Sequence, residues 1–169
     1  MNNQHRIFRR ALAVAAVTVA VASAASVPAV ATTTPATPAT TAVSDDDLTA
    51  LVALVNSERA EAGCAALTVN DKLTKAAQDH SQDMADHRNL SHTGSDGSSL
   101  TDRYARVGYS WSAAGENIAS GYTTPQSVMD GWMASSGHRA NILNCAFKEI
   151  GVGFAESGSY WTQDFGTSR

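Results

Sequence analysis

Apolar residues along this chain fall into two kinds of rhythm. Leu48, Leu51, Val52 and Val55 recur three and four residues apart, which predicts a first helix from about Asp46 to Ala62. The run Ser44 to Asp47 supplies capping chemistry and negative charge for its start, and Gly63 stops it. A second helix opens at Asn70, with Leu73, Ala76, Ala77, His80, Met84 and His87 along one side. A third, shorter one fits Leu100 to Val107, capped by Ser99 with Asp102 three residues on and ended by Gly108. Thr124-Pro125 opens a fourth, because proline is tolerated at the first helical position. Val128, Met129, Trp132 and Met133 form its stripe, and Gly137 is expected to end it.

The rhythm then changes to period two. Ile150, Val152 and Phe154 alternate with Glu149, Gly151 and Gly153, and Trp161, Gln163 and Phe165 alternate after the turn Ser157-Gly158-Ser159. Two such runs around a glycine-containing turn predict an antiparallel hairpin. Helices first and a hairpin last point to an α+β sandwich.

Two stretches near the start break both rhythms. Arg6, Arg9 and Arg10 precede the apolar run Ala11 to Ala25, and Ala29 and Ala31 fit a small-residue cleavage site, so residues 1–31 read as an export signal. That run is short for a membrane span and poor in Leu, Ile and Phe, so no transmembrane anchor is expected after cleavage. The stretch TTTPATPATTAVS offers nothing to bury, and 32–45 reads as a Thr/Pro/Ala linker leading into a folded domain at 46–169.

Losing three arginines changes the charge balance. The whole chain has 12 basic and 16 acidic residues, and the mature part keeps nine basic residues against the same sixteen, a net of −7. No basic patch survives, which argues against nucleic acid or an anionic membrane as a partner. Cys64 and Cys145 are the only cysteines, and an even pair in an exported chain reads as one disulfide, with a metal pair or a catalytic thiol as rival readings. The bridge would close a loop worth roughly 4.5 kcal/mol in the chain-entropy picture.

Chemistry concentrates in four polar, glycine-flanked segments: Ser91-His92-Thr93-Gly94, Gly115-Glu116-Asn117-Ile118, Ser135-Ser136-Gly137-His138 and Asn141 to Asn144. Loops carrying His and Glu on a rigid scaffold are where binding or catalysis tends to sit. Each residue has a plainer reading as well. Glu116 and Asn117 can simply fix the backbone of a glycine-rich loop, His80 reads as core-edge packing, and His87 falls at a helix end. Ser135 or Ser136 beside His138 is a conceivable serine–histidine pair, yet the chain has neither a G-x-S-x-G elbow nor an H-E-x-x-H helix.

Taken in order, N-x-x-R (Asn56, Arg59), SHTGSDG, AAGENIA, GWMASSGHRANIL and EIGVGFA resemble the bacterial branch of the CAP superfamily, which groups cysteine-rich secretory, antigen 5 and pathogenesis-related 1 proteins. The resemblance spans about residues 47–166. It implies a three-layer α-β-α sandwich with a small antiparallel sheet between helices. It also implies a central cleft lined by two histidines and two acids that in some members holds a divalent metal, often zinc. His92, Glu116 and His138 match three of those positions. The fourth, three residues after Trp132, is Ser135 here, so one acid is missing.

Two imidazoles and one carboxylate can make a three-ligand zinc site with an open position, and such binding should fade as pH drops below about 6.5. The reading is therefore a secreted, monomeric CAP-domain protein whose cleft (His92, Glu116, Asn117, Ser135, His138) binds a divalent metal, a small apolar or lipid ligand, or both. An extracellular hydrolase using the same cleft, or a structural module of the cell envelope, are the other readings.

Overall fold

The structure is a computed structural model that describes residues 43–169. The predicted leader and all but the last residues of the linker lie outside them. Helix α1 (Asp45–Glu61) starts one residue before the expected point. Ser44 and Asp47 form a reciprocal capping box there, three aspartates occupy the first turn, and Gly63, at φ 77°, turns the chain away after the last. Strand β1 (Thr68–Val69) leads into α2 (Asp71–His87), whose first amides are met by the Asn70 side chain. Then follow α3 (Leu100–Arg106), β2 (Trp111–Ala119), α4 (Pro125–Ala134), α5 (Ser136–Ile142), β3 (Glu149–Ala155) and β4 (Tyr160–Ser168).

The four strands make one sheet in the order β1-β3-β4-β2. The predicted hairpin is β3–β4, paired in antiparallel register from Glu149–Gly166 to Ala155–Tyr160. Helices cover both faces. On one, Leu51, Val55, Val128, Trp132, Ile150, Trp161 and Phe165 form the main core between the sheet and α1 and α4. On the other, α2 lies directly on β3 and β4. It can do so because Gly151 and Gly153 have no side chains: a Cβ on either would overlap the backbone of Leu73 or of Ala77.

Three expectations need correction. The sheet is mixed rather than purely antiparallel, because β1 runs parallel to β3. Two residues are too few to show any period. The segment around Gly115-Glu116-Asn117 is a nine-residue strand, β2, paired with β4 along its length. Its buried positions carry Glu116 and Asn117, so polarity hid it. Gly137 does not end α4. That helix stops at Ala134, and after the extended residue Ser135 a separate helix, α5, contains Gly137 and His138. One interior glycine costs a helix only about 1 kcal/mol, which neighbouring contacts can offset.

The motif residues of α1 act as a clamp. Asn56 donates to the Leu67 carbonyl and accepts from the Leu67 amide, at 3.1 and 2.8 Å. Arg59, fully buried, donates to the carbonyls of Ala65, Ile142, Asn144 and Phe147 at 2.8–3.1 Å. The Cys64–Cys145 disulfide ties the same two segments covalently. Edge strand β2 is also held from outside: Trp132 Nε1 donates to the Ile118 carbonyl at 3.2 Å, and Asn141 Nδ2 to the Glu116 carbonyl at 3.0 Å.

Candidate functional site

Glu116 is the hub. Its β2 position faces α2, and its side chain is 3% exposed. Oε1 lies 2.7 Å from Nδ1 of His92, and Oε2 accepts from Nη2 of Arg103 at 2.6 Å. Nε2 of His80 lies 3.8 Å from the same Oε2 and 2.9 Å from the Ser91 carbonyl. Burial alone would push the Glu116 carboxyl up. The hydrogen bond from His92 and the charge of Arg103 outweigh it and hold the group below its ordinary range.

Each histidine sits in a different field. The His92 side chain is 60% exposed, and its hydrogen bond with Glu116 raises its pKa despite partial burial. Burial lowers His80, and the attraction of Glu116 does not fully offset it. His138, at the start of α5, is lowered by burial and then by the charge on His92. Asn117 links that wall to the sheet: its Nδ2 donates to the His138 carbonyl at 3.1 Å and to Gln163 Oε1 at 3.2 Å, while Asn141 donates to its Oδ1.

Ser135 forms the extended hinge between α4 and α5, and its hydroxyl caps neither helix. Neither Ser135 nor Ser136 hydrogen-bonds His138. Among the described residues no three His, Cys, Asp or Glu side chains are disposed as a metal-binding group. Both Glu116 oxygens already have partners. The donors left free are the outer nitrogen of His92 and the ring of His138, with Glu116 standing behind His92 as its orienting carboxylate.

Beside His138 a groove of about 270 Å³ opens, lined by Leu90, Ile118, Tyr122, Gly131 and Trp132. Leu90 and Tyr122 are two of the three large apolar side chains that the described residues leave exposed.

Sequence reasoning missed Arg103 and Asp164 and undervalued His80. Arg103 reads as one more surface charge in a short polar helix, yet it is buried and also donates to the carbonyls of His92 and Ser98. Asp164 occupies the polar phase of the last strand. A sheet covered on both faces buries both phases, so the three-layer expectation itself contained the signal.

Among known proteins, the profile of the family described as "CAP: Cysteine-rich secretory protein family" matches residues 52–165. The uncharacterised protein YkwD of Bacillus subtilis (strain 168) is 46% identical over 115 residues, 68% of this chain and 45% of that protein. The uncharacterised membrane protein YlbC of the same organism is 34% identical, over 68% of this chain and 33% of its own. The chain thus spans less than half the length of these relatives. In three dimensions it resembles an extracellular SCP-domain protein from Bacillus anthracis str. Ames, with a TM-score of 0.70, 31% identity, and 73% and 41% of the two chains covered. It also shares its fold with an outer surface protein from Borrelia burgdorferi, with a TM-score of 0.69, 21% identity, and 74% and 95% covered.

Proposed function

As the chain belongs to the cysteine-rich secretory protein (CAP) family, we propose that it works outside the cell as a binding module for a small amphiphile carrying an anionic head group. The observation that carries this is the adjacency of two unlike surfaces. An exposed imidazole, pinned at Nδ1 by Glu116 and readily charged, exerts its charge on His138, and His138 borders the groove lined by Leu90, Tyr122 and Trp132. Exposed apolar side chains beside a few convergent polar groups are the usual make-up of a small-molecule site. The export signal read at residues 1–31 supports the extracellular setting, as does the description of one solved relative as extracellular.

The test is fluorescence titration with a dye-labelled single-chain carboxylate amphiphile. Saturable binding to the intact domain, weakened at least tenfold by Leu90→Asp and by His138→Ala, is expected. Equal affinity for all three proteins would remove the groove from any role.

Zinc binding is a second reading, favoured by the outer nitrogen of His92 beside His138 and by Glu116 behind it. Calorimetry on the native protein, His92→Ala and His138→Ala decides it, because identical uptake by all three rules the imidazoles out. Ligating rings must be unprotonated, and the raised pKa of His92 makes the metal compete with protons from a higher pH than at an ordinary histidine.

A further inference from the structure

Asp164 lies directly opposite Glu116 in the β2–β4 register, so both side chains stand side by side under α2. It is 0% exposed, and neither carboxyl oxygen receives a hydrogen bond from any donor. Its surroundings explain why. On the β3 side its partner is Gly151, which presents no side chain. From α2, the Ser81 hydroxyl is spent on Thr162, and His80 turns its Nε2 to the Ser91 carbonyl. From α3, the Tyr104 hydroxyl donates to the Phe165 carbonyl, and the terminal nitrogens of Arg103 go to Glu116, His92 and Ser98. Arg103 Nε is buried without a partner of its own, and the group paired directly with Asp164 across the ladder is the Glu116 carboxyl.

We propose that Asp164 is the second acid of this cluster, a positioning residue held as a neutral carboxylic acid whose proton is donated to the Glu116 carboxylate. Among the buried groups two carboxyls stand near one guanidinium, so a single retained proton balances them, with Arg103 positive, Glu116 negative, Asp164 and His80 neutral, and the charge of the largely exposed His92 screened by water. An ionised Asp164 would be a bare buried anion beside a second one, without a single donor, and that state is strongly disfavoured. Burial, reinforced by the charge of Glu116, accordingly drives the Asp164 carboxyl well above its ordinary range. The donated proton fixes the carboxylate plane of Glu116 and so the angle at which it meets His92. Ser135, in the hinge after α4, brings no carboxyl to this cluster, and β4 supplies an acid to the hub instead.

Infrared spectroscopy on the folded domain reads the proton directly. A protonated-carboxyl carbonyl band at pH 7 that shifts with aspartate-specific carbon-13 labelling and vanishes in Asp164→Asn is expected. Its absence, or its persistence in the variant, overturns the proposal. The wild-type spectrum alone decides the matter should the variant fail to fold. The second readout is stability against pH. Because the folded pKa is raised, the native state holds one extra proton above the unfolded value near 4, and the stabilisation it brings is lost as pH rises toward the folded pKa. Relative to Asp164→Asn, the unfolding equilibrium constant of the wild type should therefore grow about tenfold per pH unit across that window. Parallel pH profiles for the two proteins would show that no such proton is held. Asn keeps a donor for Glu116 and Val does not, so His92 should retain its raised pKa in Asp164→Asn and lose it in Asp164→Val. A loss in both, or in neither, assigns Asp164 no part in orienting Glu116.

Discussion

One carboxylate sets the behaviour of the site at the scale of single residues. Glu116 neutralises Arg103 and raises His92, while His138, lowered by burial and then by the charge on His92, goes the other way. Proton NMR titration should find His92 above, and His80 and His138 below, the ordinary histidine value near 6.5. In Glu116→Gln the His92 value should fall back, and the buried Arg103 charge loses its counter-charge, at a cost of about 3–5 kcal/mol in chemical denaturation. The contribution of the His92–Glu116 contact follows the imidazole: present at low pH and lost as pH rises through the folded pKa of His92. His92, Glu116 and His138 were legible in the sequence through their glycine-flanked motifs. Arg103 and Asp164 were not, because a charged residue in a polar phase reads as solvated until the element covering it is known.

At the scale of elements, the chain is held by devices that work backbone to side chain and side chain to backbone. Arg59 brings a buried charge to four carbonyls, and burial lowers its pKa with no carboxylate in its hydrogen-bonded shell. Arg59→Met should lose about 3 kcal/mol or more, because several carbonyls go unpaired at once, each worth ~1–3 kcal/mol. Gly151→Ala should be worse than an ordinary glycine replacement in a strand. Its Cβ meets backbone, which no rotamer change relieves, so α2 must lift off the sheet. A fall in thermal midpoint accompanied by exposure of His80 to solvent, seen by hydrogen exchange, would mark that event. Helices α1 to α4 were readable because their stripes and caps agree. Strand β2 and helix α5 were not, since both carry site residues whose polarity or flexibility contradicts the element they belong to.

For the whole molecule, the expected three-layer arrangement and the disulfide are both present, and the disulfide joins segments 81 positions apart. Reduction should destabilise the domain by about 4 kcal/mol, shown as a lower denaturant midpoint with an unchanged native circular dichroism spectrum at low denaturant. The parallel strand β1 was beyond sequence reading, because its partner lies on the far side of the chain and its two residues show no period. Among the described residues no helix is long and apolar enough to cross a membrane.

The plugging of β2 by Trp132 and Asn141 reaches further than the site. An exposed strand margin invites a neighbouring chain to extend the sheet, the route by which many exported domains clump. Here an incoming peptide would find two carbonyls already occupied by indole and amide hydrogens. The contacts that seat α4 and the histidine-bearing α5 against the sheet thus work as a terminator for strand addition, so mutants that loosen either helix should gain a tendency to polymerise along with any loss of binding.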